Sequence, residues 1–563
     1  MDEHKDIDWL DRDSNQIEGL DHLGIQAISV AMYTKLLPGI TNVTDRARYF
    51  SFYPWLLSKY DPAQSGNWYI FIRRHEFLLS LASNYAVHLG KADPTYDGGA
   101  VVGSDRAKDA IAASTALRKI PLEDYTALDS KGKRGAKGSY FKNKEGGYDQ
   151  YYKRQLDILR ITTESDSVGI PDRDIVKQVG SQIAASVDSQ SGFKELSKLA
   201  SKDVVSFAEL ERLSDLVPPW KVPEDSKEEQ MLCNSFFGLD EAALTSQDKT
   251  ELSARRNSLL LLLSFLKEAA APHSIDELVY EFRWCVMFNC LPNGRPWTVD
   301  EKLTVTRNMW GIYQLQDVFN YTLENFLWAI LEALDQPDEW PAQIDALIQK
   351  MIATVTKQFL LHETTKYIKK SVKPRTVKDY LFNSKRSSDE DGRDPFDKYS
   401  DRYIFEKLRA AQDIDETLVL GTHMLCRLLS RVASPVYGLF DFDIDFLKRY
   451  PLNLEYMPKK VQAMNDLPID VFLQHHLKEI IIKRHLKVAA RKLSHQGQST
   501  FKFIPDSGRL IRISEKPVQP TLTSPRLRQA IRILCDLHLI SFDDQGLRLT
   551  DKGERIVQDC YAL

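Results

Sequence analysis

The sequence predicts a mainly α, multi-domain helical protein. Apolar residues recur at helical spacing, most clearly Phe319, Leu323, Phe326, Leu327, Ile330, Leu331 and Leu334. Strand-like alternation is scarce until the last stretch of the chain. At about 150 residues per domain, 563 residues amount to roughly three or four domains, long enough to bury several cores without disulfides or metals.

The elements follow in order. A first helix is expected to end at Leu37, with Pro38-Gly39 as the turn. Thr44 is placed to cap the next helix, with Asp45 at its positive end, and Pro54 to bend or end it. Tyr49, Phe50, Phe52, Tyr53 and Trp55 make this segment dense in aromatics. Arg46 and Arg48 are two apart and point to different sides. The simpler reading is a core hairpin with an arginine paired to a carboxylate, and the alternative is an arginine that reaches phosphate. Pro337 closes the 319–334 stripe, which is a core face. Polar, turn-rich stretches at 127–148, 215–228 and 383–401 mark loops or boundaries. The chain then divides into an N-terminal helical domain (1–160), a helical middle domain (161–380), a polar linker (381–402), a helical connector (403–469) and a basic C-terminal domain (470–563).

Charge is unevenly distributed. The whole chain carries a net −4, yet Gln474 to Leu534 holds 13 Lys/Arg against 3 Asp/Glu, a net of +10 that leaves −14 for the remainder. A basic end on an acidic protein points to a localised polyanion contact. The longest aliphatic run, Leu259 to Leu263, is too short to span a bilayer. The acidic first residues are unlike a secretory signal. Six scattered cysteines without a CxxC pair suit a reducing cytoplasm. No cofactor or metal is expected.

Motifs for chemistry are missing. GxxxxGK[ST], HxKxxxxD and HExxH do not occur, and His362 to Lys366 has the wrong spacing for the second. His475, His476 and His485 lie on a basic helix, where imidazoles complement the charged face. The best carboxylate set is Asp441, Asp443 and Asp445, which period two would place on one strand face, where they could hold Mg²⁺ for phosphodiester hydrolysis. Nothing else in the sequence converges there, so a metal-dependent nuclease is the alternative and not the main reading.

Two basic segments could touch nucleic acid. Residues 131–154 hold eight Lys/Arg, among them Lys133, Arg134 and Lys137, interleaved with Gly132, Gly135 and Gly138 and followed by Tyr140 and Phe141. Glycines let a backbone approach phosphate, and an aromatic can stack on a base. The second segment is an amphipathic helix over His476 to Lys492 with Lys483, Arg484, Lys487, Arg491 and Lys492. A hairpin around Pro505-Asp506-Ser507-Gly508 follows. Ser524-Pro525 then opens a helix with Leu527, Ala530, Ile531, Leu534 and Leu537 on one face and Arg528, Gln529 and Arg532 opposite. Leu539 to Phe542, a turn at Asp543 to Gly546, and Leu547 to Thr550 form a second hairpin, and Asp551 starts the last helix.

Two resemblances bear on function. Leu36-Leu37-Pro38-Gly39, Thr41, Arg46-Ala47-Arg48-Tyr49-Phe50 and Pro54-Trp55 resemble a bacterial protein family found beside helicases and phospholipase-D-like nucleases in defence islands. The likeness continues more weakly through Gly103 and Leu117-Arg118-Lys119-Ile120-Pro121 to Tyr148-Asp149-Gln150-Tyr151. It implies a context, anti-phage defence, and no chemistry. The C-terminal order, with Leu549-Thr550 and Lys552-Gly553 after the hairpin, resembles the winged helix of bacterial transcription regulators. That resemblance implies base-edge contacts by Arg528, Gln529 and Arg532, and phosphate contacts by Arg526 and Arg548. The same module serves elsewhere in protein docking. The resulting expectation is a cytoplasmic, non-enzymatic DNA-binding scaffold subunit of an anti-phage defence assembly with helicase or nuclease partners. The alternatives are a metal-dependent nuclease subunit or a transcriptional regulator of the same locus.

Overall fold

The computed structural model describes residues 21–96, 101–128, 140–163, 178–239, 246–269, 271–359, 400–432, 466–497 and 499–562. The fold is mainly helical, as expected. The helices that matter below are α1 (Gln26–Leu36), α2 (Tyr49–Lys59), α3 (Trp68–His88), α4 (Lys227–Phe237), α5 (Ser246–Glu268), α6 (Ile275–Phe288), α7 (Glu301–Leu334), α8 (Ile344–Phe359), α9 (Ile414–Val432), α10 (Arg484–Gln496), α11 (Leu527–Asp536) and α12 (Asp551–Ala562). Among the described residues, the strands form three antiparallel two-stranded pairs: β1 (Lys119–Pro121) with β2 (Val204–Ser206), β3 (Phe503–Asp506) with β4 (Arg509–Arg512), and β5 (Ile540–Asp543) with β6 (Gly546–Leu549).

The chain gathers into two compact units, each made of two stretches of sequence. One comprises residues 1–34 and 281–524, the other residues 35–280 and 525–563. The basic C-terminal stretch is thus shared out at Ser524/Pro525, a division the linear order of motifs does not announce.

The unit with residues 281–524 is organised on α7. That helix is buried nearly all round from Trp310 to Leu327, so the stripe from Phe319 is only part of its contact surface. Asp300 caps its start by accepting from Lys302 N at 2.9 Å, and the helix stops at Leu334, before Pro337. Gly311 permits close packing on α6, since a Cβ there would lie 2.7 Å from the Val286 carbonyl. The β3–β4 hairpin turns at Ser507 and Gly508, both at positive φ (49° and 79°), the backbone that a tight two-residue hairpin requires. Its Gly508 carbonyl accepts from Ile344 N at the start of α8 at 2.9 Å.

The other unit is built around α2, whose residues Tyr49 to Leu57 are all buried. The Tyr49 and Tyr152 rings lie 4.9 Å apart and those of Phe50 and Phe236 5.0 Å apart. Pro54 does not end this helix, which runs on to Lys59. Proline forfeits one backbone bond there, and the aromatic packing on both sides holds the helix together. Thr44 does not cap α2 either. Its hydroxyl accepts from Thr41 N at 2.7 Å and closes the 41–44 turn. At the other end of the chain, α11, β5, β6 and α12 reproduce the expected order of helix, hairpin and helix. Thr550 caps α12, accepting from Gly553 N at 3.0 Å.

Candidate nucleic-acid interface

The first candidate face is on α11, and it is not the open polar face expected. Arg532 is 3% exposed, and its Nη1 lies 2.7 Å from Asp45 Oδ2. One turn on, Asp536 accepts from Arg46 Nη1 at 2.8 Å and from Ala47 N at 2.9 Å. Gln529 is also buried, and its amide donates to the Asn42 carbonyl at 3.3 Å. Arg526 Nη1 donates to the Ile40 carbonyl at 2.8 Å, from a residue at positive φ that precedes the helix. Residues 40–47 therefore cover the polar side of α11, while Leu527, Ile531 and Leu534 fill the apolar side. Gln529 and Arg532 are therefore buried, where the helical wheel placed them on an open polar face. The physical reason is complementarity between the Asp45-Arg46 pair and the Arg532/Asp536 pair, which are four apart and share one row of α11.

The remaining two residues of that set are more open. Arg528 is half-buried and forms an ion pair with Asp276. Arg548 pairs with Asp543 across the β5–β6 hairpin. That hairpin is itself pinned, since Leu547 N donates to the Pro272 carbonyl at 2.8 Å. Gly546, at φ 97°, passes so close to the same carbonyl that a Cβ would lie 2.5 Å from it.

Arg46 and Arg48, the arginines of the N-terminal motif, are both buried in ion pairs, Arg46 with Asp536 and Arg48 with Glu228 at 3.2 Å. Arg48 also donates to the Leu216 carbonyl at 2.6 Å and to Gln190 at 2.7 Å. Both arginines are therefore buried and paired to carboxylates, as the simpler reading of this segment has it for one of them.

The second candidate face lies on α10 and the turn before it. Lys483, Lys487 and Arg491 are exposed and follow one another at intervals of four, a single row along the helix. Lys483 makes a solvent-side ion pair with Glu479 at 2.7 Å. Burial and the neighbouring Arg484 and Arg491 push the Lys487 ammonium below its ordinary value. Arg484 and Lys492 serve differently. Arg484 donates to the Leu23 and Gly24 carbonyls, and the buried Lys492 donates to the Asp21 carbonyl at 2.8 Å. These two cations fasten the chain ahead of α1 to α10 and are not part of the outward row.

His485 joins α10 to the β3–β4 hairpin. Its Nε2 accepts from Lys502 N at 3.0 Å, so Nδ1 carries the proton and donates to the His22 carbonyl at 3.2 Å. Burial first, with Lys502 and Lys492 nearby, pushes this imidazole down to about 4. Burial first, with Arg512 on the hairpin and Lys516 in the segment after it, lowers the Lys502 ammonium. Arg512 pairs with Asp335 at 3.2 Å.

Lys133, Arg134 and Lys137 lie outside the described residues, as do His362 to Lys366 and Asp441, Asp443 and Asp445. The residues flanking the glycine-lysine segment are firmly held by α3. Buried Arg73 donates to the Thr126 carbonyl at 3.0 Å and to the Asn143 carbonyl at 2.7 Å. Glu76 accepts from Tyr140 Oη at 2.6 Å, Gly147 N at 2.9 Å and Tyr148 N at 3.0 Å. Tyr140 is buried by this contact and is not available to stack on a base.

All six cysteines are free thiols. Among the described residues, no group of three or more His, Cys, Asp or Glu side chains is placed to hold a metal ion. His476 is buried, and burial pushes it down to about 4. No helix among the described residues is long and apolar enough to cross a membrane. No protein family, curated protein or solved structure matches the chain.

Proposed function

We propose that this protein is a cytoplasmic, non-enzymatic DNA-binding scaffold subunit of a bacterial anti-phage defence assembly, and that it contacts DNA through the outward face of α10. The observation that carries the DNA half is the row Lys483, Lys487 and Arg491, exposed on a helix whose other cations hold the fold. Long basic side chains in a row suit phosphate oxygens, and two of the three residues expected to read base edges on α11, Gln529 and Arg532, are buried. The contact is therefore with the backbone and carries little base preference. The helix–hairpin–helix order at the C-terminus supports a winged-helix lineage, used here for packing. The defence context rests on the motifs between Leu36 and Tyr151, and partner helicases or nucleases follow from that context alone.

The test is fluorescence anisotropy of the full chain on short duplexes of unrelated sequence. Salt-sensitive binding that is similar for all duplexes, and weakened by Lys487→Glu with Arg491→Glu, is the expected result. No binding at low salt would remove the DNA half of the proposal.

A further inference from the structure

Residues 514–524 follow the β3–β4 hairpin as an extended segment without helix or strand. Pro517 and Pro520 suit that conformation. The segment lies on α7 and is held by buried groups. Val518 is buried, and the Lys516 carbonyl accepts from Lys502 Nζ at 2.9 Å. Asp317 accepts from Thr523 N at 3.0 Å and from Thr523 Oγ1 at 2.7 Å. Arg283, paired to Asp317 at 2.6 Å, donates to the Thr523 carbonyl at 3.1 Å. Seven residues along α7, Glu324 Oε2 accepts from Thr521 N at 3.1 Å, and Oε1 accepts from Gln26 Nε2 at 2.7 Å.

The two carboxylates differ in one respect. Asp317 has a guanidinium against it. Glu324 is 5% exposed and forms no ion pair among the described residues, since both its donors are neutral. The charged or titratable groups facing it are Asp21, ahead of α1, and Asp317 and Tyr321 on its own helix; Arg283 is already committed to Asp317. A buried carboxylate with acids for neighbours is costly to ionise.

We propose that residues 514–524 are a releasable strap, closed on α7 while Glu324 is neutral and let go when Glu324 becomes charged. Lifting the strap hydrates Glu324, which removes the cost of its charge. The inference does not depend on the DNA reading. Burial, reinforced by Asp21 and Asp317 and opposed by the bonds from Thr521 and Gln26, pushes Glu324 up to about 8. A carboxyl raised in the closed state favours closure fully below its ordinary value. That preference is lost as pH rises towards about 8. The opening equilibrium therefore grows by up to about tenfold per pH unit across that window.

The experiment is amide hydrogen exchange of the full chain by mass spectrometry at pH 6, 7 and 8, with rates divided by those of an unstructured peptide spanning residues 514–524. The expected result is that protection at Thr521 and Thr523 falls by up to tenfold per unit and that Glu324→Gln abolishes the pH dependence. Thr521→Pro, which removes the N–H that donates to Glu324 and fixes φ in a segment that already holds Pro517 and Pro520, should cut protection at Thr523 already at pH 6. Protection independent of pH in the native chain, an unchanged pH dependence in Glu324→Gln, or full protection of Thr523 in Thr521→Pro would each overturn the proposal.

Discussion

Arg532 and Asp45, 487 residues apart in sequence, form a buried ion pair at 2.7 Å. Together with Arg46 and Asp536 they make a double clamp in which adjacent residues of one segment meet residues one turn apart on α11. Arg46-Ala47-Arg48, the centre of the N-terminal motif, therefore works as a packing device.

Breaking the clamp from one side leaves a charge without its partner in the interior. Asp45→Ala should destabilise the protein by about 3–5 kcal/mol. Arg528→Ala, which removes a pair between half-buried Arg528 and exposed Asp276, should change stability by less than about 1 kcal/mol. Urea denaturation monitored by tryptophan fluorescence checks both. Equal effects of the two substitutions would mean that Arg532 is not held as described.

Residues 525–563 are integral to the unit that contains α2, and residues 470–524 to the unit built on α7. A fragment of residues 470–563 carries α10 and the β3–β4 hairpin without α7, and α11 without Asp45 and Arg46. It should show no cooperative thermal transition by circular dichroism. In the full chain, Leu534→Ala should cost about 2–5 kcal/mol, because the side chain is fully buried. A fragment that melts cooperatively would restore an independent C-terminal domain.

Much of the architecture can be read from local pattern. The 319–334 stripe, the tight turn at Ser507-Gly508 and the closing helix from Asp551 each follow from periodicity or turn chemistry. The candidate site was less legible, because a helical wheel shows polarity and not what covers it. Arg532 is polar, sits opposite Leu534 and looks solvent-facing until Asp45 is brought against it. Tyr140 likewise looks like a stacking aromatic until Glu76 accepts its hydroxyl. The one local hint was charge complementarity, since Asp45-Arg46 mirrors Arg532 and Asp536. The row on α10 was legible as a basic helix, but Arg484 and Lys492 could not be separated from Lys487 without knowing where the chain ahead of α1 lies.

Acid should weaken the unit built on α7. His485 and His476 are both held neutral by burial, down to about 4. The native state then binds fewer protons than the unfolded chain between that value and the ordinary histidine value. Stability is full above about pH 6.5 and falls as pH drops towards about 4, by up to about 1.4 kcal/mol per unit for each imidazole. In a Glu324→Gln background, which removes the opposing contribution of the raised Glu324 carboxyl, the urea midpoint should be lower at pH 5 than at pH 7. His485→Gln, which can still accept from Lys502 N, should narrow the difference. A midpoint that does not move between these pH values would contradict the assignment of neutral, buried imidazoles.

The glycine-lysine segment allows a separate test. If Lys133, Arg134 and Lys137 also reach phosphate, reversing each charge should flatten the log–log salt dependence of DNA binding by roughly 0.9. An unchanged slope, measured by filter binding, would assign these residues to a solvated surface.

The most direct test of the α10 reading is the salt slope of duplex binding by the full chain. It should be measured for the native protein, for the triple variant Lys483→Glu, Lys487→Glu and Arg491→Glu, and for Arg528→Ala. The native protein should bind with a Kd of about 10⁻⁴ to 10⁻⁶ M at physiological salt, as non-specific phosphate contact does. The triple variant should bind more weakly, with a slope flatter by about 2.7 for three lost contacts, and Arg528→Ala should keep the native slope. A triple variant that binds like the native protein, with Arg528→Ala losing affinity, would place the contact on α11 and contradict this account.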